Sequence, residues 1–460
     1  MRGTIRSTSP QRPDDVVGEW PDTGAEGVDR AARRAREAFP GWSRATAFER
    51  SRVLRDAAGR LASRGEEMAA LMVREVGKPI IESRAEVARA VAILEFYAQA
   101  ALDPEGDVLP PSTAGTMLLA RRRPRGVVGL ITPWNFPVAI PAWKLAPALA
   151  WGNVAVLKPS AESTACAFLL EEALGLPDGV LQVVPGAAGA GRALVEHPAI
   201  DAVSFTGSAA VGRDVATTAA ARGMPAQAEM GGQNPVIVLA DSDVEATAAA
   251  VAASAMGYAG QKCTAARRVI SVGTAADAFR EALITRVEAL RVGDPADPAT
   301  VVGPLITSAA RDRVSAAVDA ARGAGATLLT GGRSTIGEGW FYAPAVVDGV
   351  GPDQELAREE VFGPVLAMFS ANDLDEAVRM ANATRYGLVA AVFTRDLGVA
   401  LDVAARLEAG LVRINAPTTG VDFHAPFGGD KVSGQGGREQ GRAAREFYTS
   451  STTITIAPPA

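Results

Sequence analysis

Sulfur and imidazole are scarce in this chain: two cysteines and two histidines among 460 residues. Two cysteines cannot build a disulfide framework, and a reducing compartment keeps both as thiols. With only His197 and His424 available, a histidine-rich metal site has too few ligands, so no metal is expected. An excess of positive charge is also missing. The 46 Lys and Arg stand against 52 Asp and Glu, for a net charge of -6, which leaves no electrostatic footprint for nucleic acid or an anionic membrane. No apolar run reaches membrane-spanning length, and the opening "MRGTIRSTSPQRPDD" lacks the apolar segment of a secretory signal. These absences point to a cytoplasmic protein with neither nucleic acid nor membrane as partner.

What is present is ordinary globular material, 48% hydrophobic and 21% charged, at a length that calls for two or more domains. Short Val/Ile/Leu runs alternate with helical patterns. "GVVGLI" (126–131), "NVAVLK" (153–158), "GVLQVVPG", "DAVSFTG" and "NPVIVLAD" each lead into a helix-like stretch, the signature of a parallel sheet covered on both faces. A second α/β series follows Cys263 with "RVISVG", "VLAMFS", "LVAAVFT" and "GLVRIN", and the glycine-rich "EMGGQN" marks a boundary near 231–233. Residues 106–124 and 446–460, rich in Thr and Pro, read as extended ribbons that pair with each other or with another subunit. No repeat of 20 to 50 residues stands out.

Three residues carry candidate chemistry. Cys263, in "GYAGQKCTAARRV", sits where a helix gives way to a strand, next to Lys262 and Thr264; the ammonium would favour the nucleophilic thiolate. A lone cysteine is more often a small core residue, and Cys166 in "STACAFLLEEAL" is read that way. Glu229 ends a strand before two glycines and is the candidate base, against the commoner reading of an exposed strand-end carboxylate. Asn135, in "ITPWNFP" directly after the first strand, offers an amide to a developing oxyanion, against the alternative of a turn residue.

Together these stretches resemble the aldehyde dehydrogenase superfamily. "ITPWNFP", "LKPS", "SFTGS", "EMGGQNP", "GQKCT", "EEVFGPV" and "PFGGDKVSG" occur in that family's order and at its approximate spacings, over nearly the whole chain. The resemblance implies a doubly wound cofactor-binding domain (1–105 and 125–231), a second α/β catalytic domain (232–445) and a small β-ribbon oligomerisation element (106–124 and 446–460). It implies Cys263 as nucleophile, Glu229 as general base, Asn135 as oxyanion donor beside the Cys263 N–H, and Lys144 near them. The implied reaction oxidises an aldehyde through a cysteine thiohemiacetal and thioester, which water then hydrolyses to the acid.

The same resemblance places a nicotinamide dinucleotide along Ile131, Thr132, Pro133 and Trp134, then Lys158, Ser160 and Ala161. Further contacts are implied at Gly207, Ser208, Val211 and Gly212, at Met230 and Gly231, and at Glu360 and Phe362, which hold the nicotinamide ribose and pack near the ring. Many NAD-dependent relatives read Lys-Pro-Ser-Glu where this chain has Ala161. Glu162 follows one position later, about 100° around a helix. Loss of the acid removes a repulsion against a 2′-phosphate, so NADP is expected to be accepted, up to preference, without exclusion of NAD. The N-terminus also lacks a strand that commonly precedes this point in the family, and some loss of edge cover is expected.

"RINAPTTGVDFHAPFGGDKVSGQGGREQG" most resembles the α-ketoglutarate semialdehyde dehydrogenase branch. Lys262, Arg267 and Arg268 offer cations to a substrate carboxylate, although the ordinary role of such arginines is a surface or interdomain salt bridge. A homodimer or homotetramer is expected. A CoA-acylating relative is an alternative that Glu229 argues against, and a non-catalytic binding protein on the same fold is another, disfavoured by the intact Cys263, Glu229 and Asn135.

Overall fold

The valine- and leucine-rich runs become strands and sort into two largely parallel sheets. The computed structural model describes residues 3–273, 276–335 and 337–459. The first sheet has six strands, in spatial order Gly434–Gln435, Ala226–Glu229, Ala202–Thr206, Val127–Ile131, Val154–Lys158 and Leu181–Val183. All neighbours are parallel except Gly434–Gln435. Val127–Ile131 lies in the middle: the chain first builds outward on one side of it, then crosses back to build on the other. The topological switch point therefore falls between the carboxyl ends of Val127–Ile131 and Ala202–Thr206, where such sheets bind ligands.

The second sheet has seven strands, in order Thr327–Thr330, Ala345–Asp348, Val365–Ala371, Ala266–Val272, Asn234–Val238, Val389–Phe393 and Leu411–Ile414. Asn234–Val238, which the alternation of the sequence runs on from the first series, pairs with Ala266–Val272 and Val389–Phe393 and so belongs to this second sheet. Conversely, Gly434–Gln435 leaves the second half of the chain to pair with Ala226–Glu229. The chain crosses between the sheets at Met230–Gln233, from the carboxyl end of a first-sheet strand to the amino end of a second-sheet strand. Cys263 also lies at the amino end of a second-sheet strand, Ala266–Val272. The facing ends of the two sheets thus frame one cleft.

Before the first sheet come an antiparallel hairpin, Thr4–Ser9 with Arg12–Pro21, and four helices, Gly24–Arg44, Ala47–Ser63, Gly65–Val76 and Ile80–Ala100. Helix starts are fixed by side-chain caps: Thr46 and Glu49 form a reciprocal capping box, and Asp243, Thr307, Asp373 and Asp396 each accept from a backbone N–H of the first turn. The two ribbon segments pair with each other, Gly106–Leu109 with Met117–Pro124 and the latter with Thr449–Ile456, in one antiparallel sheet. The start of the tail differs from an extended reading, because Ala444–Tyr448 is a short helix with Phe447 and Tyr448 buried.

Candidate active site

Cys263 sits on a turn whose backbone is fixed from several directions. After helix Val244–Met256 the chain turns through Tyr258, Ala259 and Gly260, all with positive φ (54°, 52° and 65°). That conformation is costly for the two non-glycine residues and needs support from its surroundings. The Tyr258 hydroxyl donates to the Val76 carbonyl at 3.0 Å, and the Gln261 side chain donates to Pro304 O at 3.1 Å and accepts from Ile306 N at 2.9 Å. Asn234 Nδ2 donates to the carbonyls of Cys263 and Ala265, each at 2.8 Å.

Two sequence expectations fail here. Lys262 does not activate the thiol: its ammonium pairs with Glu82 at 2.8 Å. Burial pushes the Cys263 thiol up to about 12, the Glu360 and Glu229 carboxylates add to the rise, and the backbone N–H groups of Cys263 and Thr264 oppose it. Arg267 and Arg268 make neither surface salt bridges nor a substrate clamp. Both are buried, Arg267 donating to the carbonyls of Gly363 and Gly260 (2.6 Å each) and Arg268 to those of Gln233, Met380 and Ala381. Cys166 is a core residue as read from sequence. Its N–H donates to Glu75 at 2.7 Å, and burial and that carboxylate raise its thiol well above the usual range.

Asn135 is buried and donates Nδ2 to the carbonyl of Gln261 at 2.9 Å, two residues from Cys263. A primary amide has two donor hydrogens, so one remains for a ligand. Glu229 ends its strand as expected, but it is 3% exposed rather than on the surface. Its carboxylate accepts from Gly429 N at 3.2 Å. Burial and the charge of Glu439 raise its pKa well above the usual carboxylate range, against the pull of Lys144 and Arg438.

Glu439 went unread in the sequence. It accepts from Lys144 Nζ, from Trp143 Nε1 at 2.7 Å and from the Ser204 hydroxyl at 3.2 Å. All four residues are buried. Its local sequence, "GGREQG", carries no sign that the chain folds back over helix Ala139–Ala150. Lys78 and Glu86 were missed for the same reason: this fully buried pair sits against the other side of the Asn135 loop, where Glu86 accepts from Val138 N at 2.9 Å and Ala139 N at 3.0 Å.

The residues expected to hold a dinucleotide lie around the switch point. Ile131 ends its strand, and Thr132 N donates to the Lys158 carbonyl at 3.1 Å. Pro133 leads into Trp134, whose ring stands edge-on to Phe362 with centroids 5.7 Å apart. Ser208 caps helix Ala209–Ala221, and a methyl at Gly212 would press on Met230 at 2.6 Å. Gly207 N donates to the Glu229 carbonyl at 3.0 Å, tying the two motifs together. A methyl at Gly231 would overlap the Glu360 carboxylate, which accepts from Gly232 N at 3.2 Å and is pushed by burial to about 7. A dinucleotide fits this surface chemically. Among the described residues, Thr132 Oγ1 is a buried hydroxyl without a hydrogen-bond partner, Lys158 is buried without a direct hydrogen bond, and Val211 is 49% exposed beside the helix start.

Ala161–Ser163 form a 3₁₀ turn, and the Glu162 carboxylate accepts from the Ser160 hydroxyl, with its charge felt at Lys158. The stretch thus carries an acid beside Ser160 and Lys158, although position 161 is alanine.

Beside Cys263 a cavity of about 130 Å³ opens between Phe136, Trp143, Val421 and Phe427. Among the described residues no group of three His, Cys, Asp or Glu side chains is placed to hold a metal ion.

A sequence model of the aldehyde dehydrogenase family matches residues 1–454. Over 462 aligned residues the chain is 40% identical to an alpha-ketoglutaric semialdehyde dehydrogenase of Bacillus subtilis (strain 168), covering 99% of this chain and 95% of the relative. An NAD-dependent aldehyde dehydrogenase from Sinorhizobium meliloti superposes with TM-score 0.96 at 38% identity, covering 100% of this chain and 92% of that one. An NADP-dependent enzyme from E. coli gives TM-score 0.96 at 34% identity, with 99% and 95% covered.

Proposed function

Since the chain belongs to the aldehyde dehydrogenase family, we propose that it oxidises an aldehyde bearing a distal carboxylate, a semialdehyde, and releases the free acid by hydrolysis. Nicotinamide-dependent aldehyde oxidation is the activity of this protein. The roles of individual residues are inferred from their chemistry. Cys263 as thiolate adds to the aldehyde carbon, and the oxyanion formed is held by the free Asn135 amide hydrogen and the Cys263 N–H. A bound dinucleotide supplies the hydride acceptor. Glu229 then takes a proton from the water that attacks the thioester, and Cys263 leaves as the acid departs.

The observation that carries the hydrolytic reading is Glu229: buried, raised above the usual carboxylate range, and close enough to Cys263 to act on its charge. A CoA-acylating enzyme needs no such base. Both NAD and NADP are taken as cofactors, with Glu162 setting the balance between them. The two free thiols suit a reducing cytoplasm, and no helix among the described residues is long and apolar enough to cross a membrane.

The test is reduced-cofactor absorbance with a panel of aldehydes, with and without CoA. Carboxylic acid as product, at a rate indifferent to CoA, supports the reading. A rate that requires CoA, or no oxidation of any aldehyde, overturns it.

A further inference from the structure

The cavity beside Cys263 has one charge left over. Helix Ile80–Ala100 turns Glu82, Glu86 and Arg89 toward it, residues spaced by four and three along one helical face. Glu82 is neutralised by Lys262, itself on the cavity wall, and Glu86 by Lys78 behind it. Arg89 is half-buried and makes no hydrogen bond, ion pair or ring contact among the described residues. The apolar part of the lining is aromatic and aliphatic, with Phe136, Trp143, Val421 and Phe427.

We infer that Arg89 is the specificity-determining residue that selects aldehydes carrying a distal carboxylate. This rests on the proposed semialdehyde reading and supplies the contact that reading lacks, because Arg267 and Arg268 are committed to backbone carbonyls and Lys262 to Glu82. A guanidinium presents paired N–H donors that match a carboxylate in two-pronged fashion. Partial removal from water strengthens that contact, and the carboxylates that share the lining, Glu82 and Glu86, are already held by Lys262 and Lys78. The aldehyde end meets Cys263 while the acid end meets Arg89. A cationic aldehyde would meet the same guanidinium as a repulsion, so the residue discriminates in both directions.

The test compares kcat/KM for three aldehydes of similar length in the full-length enzyme: one with a terminal carboxylate, one ending in a methyl group and one ending in a trimethylammonium. Wild type should prefer the carboxylate over the methyl by tenfold or more, with the cation last. Arg89→Gln should collapse the carboxylate-to-methyl ratio by at least tenfold, through KM more than kcat, and raise the cation relative to the methyl compound. Arg89→Lys should restore part of the ratio, since it returns the charge without the fork. If wild type prefers the carboxylate and Arg89→Gln keeps that preference, the assignment to Arg89 is overturned while the semialdehyde reading stands. If wild type shows no preference, both fall.

Discussion

At Cys263 the burial that shields the thiol also holds its proton, and the same is true of Glu229. Both groups are raised, the thiol to about 12 and the carboxyl well above its usual range. Each acts in its deprotonated form, so each limits activity at low pH and releases that limit as pH climbs toward its raised value. The rate of aldehyde oxidation should therefore rise steadily between about pH 6 and pH 9. A flat or falling profile of kcat/KM across that range would contradict these environments. Glu162 makes a second residue-scale prediction. Its carboxylate, held at the Ser160 hydroxyl, would repel a 2′-phosphate bound beside it, so Glu162→Gln should raise kcat/KM for NADP relative to NAD by about tenfold, equivalent to roughly 1.4 kcal/mol. An unchanged ratio would remove Glu162 from the cofactor site. At this scale the motifs singled out Cys263, Asn135 and Glu229, and the structure joins Asn135 to Gln261 two residues from Cys263 and buries Glu229 within reach of the thiol's charge. The sequence was misleading at Lys262, which adjoins Cys263 in sequence yet gives its charge to Glu82.

Among elements, the loop carrying Asn135 is held from the helical layer beneath it. Lys78 Nζ pairs with Glu86 and stands 3.6 Å from the centre of the Phe136 ring, and Glu86 takes the first N–H groups at the start of helix Ala139–Ala150. Burial lowers the Lys78 ammonium, against the pull of Glu86. Lys78→Met keeps the volume and strands a carboxylate in the core, so it should cost about 3–5 kcal/mol in denaturant unfolding. A loss under about 1 kcal/mol would show that Glu86 finds another partner or a proton without penalty. Most strands of both sheets were legible as short apolar runs bounded by turn residues, although Ala345–Asp348 was passed over. Thr327–Thr330 and Gly434–Gln435 were not legible, since the first is short and part-polar and the second is two residues whose pairing depends on a distant strand. Assignment of Asn234–Val238 to a sheet could not come from its composition, which suits either sheet equally.

Over the whole molecule, the two sheets meet at facing ends and the three-stranded ribbon forms a separate sheet whose two outer edges have no strand partner among the described residues. Val108 is 75% exposed, and Met117 and Ile456 are 51% exposed, all on that ribbon. Open edges bearing apolar side chains invite pairing with another copy, and closed symmetry removes them. Wild type should sediment as a dimer or tetramer, and Val108→Glu combined with Met117→Glu should shift it toward monomer. A wild-type enzyme that is monomeric and active refutes the ribbon's assignment. The sequence left open whether these two segments pair with each other or with another subunit, and the helix Ala444–Tyr448 that docks the tail was hidden in a stretch that reads as extended.

The claim on which the rest depends is that Cys263 forms a thioester that Glu229 then helps water to cleave. Rapid mixing of Glu229→Gln with aldehyde and oxidised dinucleotide separates the two stages, because the reduced cofactor appears before the step that needs the base. The account predicts a fast burst of about one reduced cofactor per active site, followed by turnover much slower than wild type. If the burst vanishes together with steady-state turnover, Glu229 acts before the thioester forms or only shapes the site, and the hydrolytic role assigned to it is wrong.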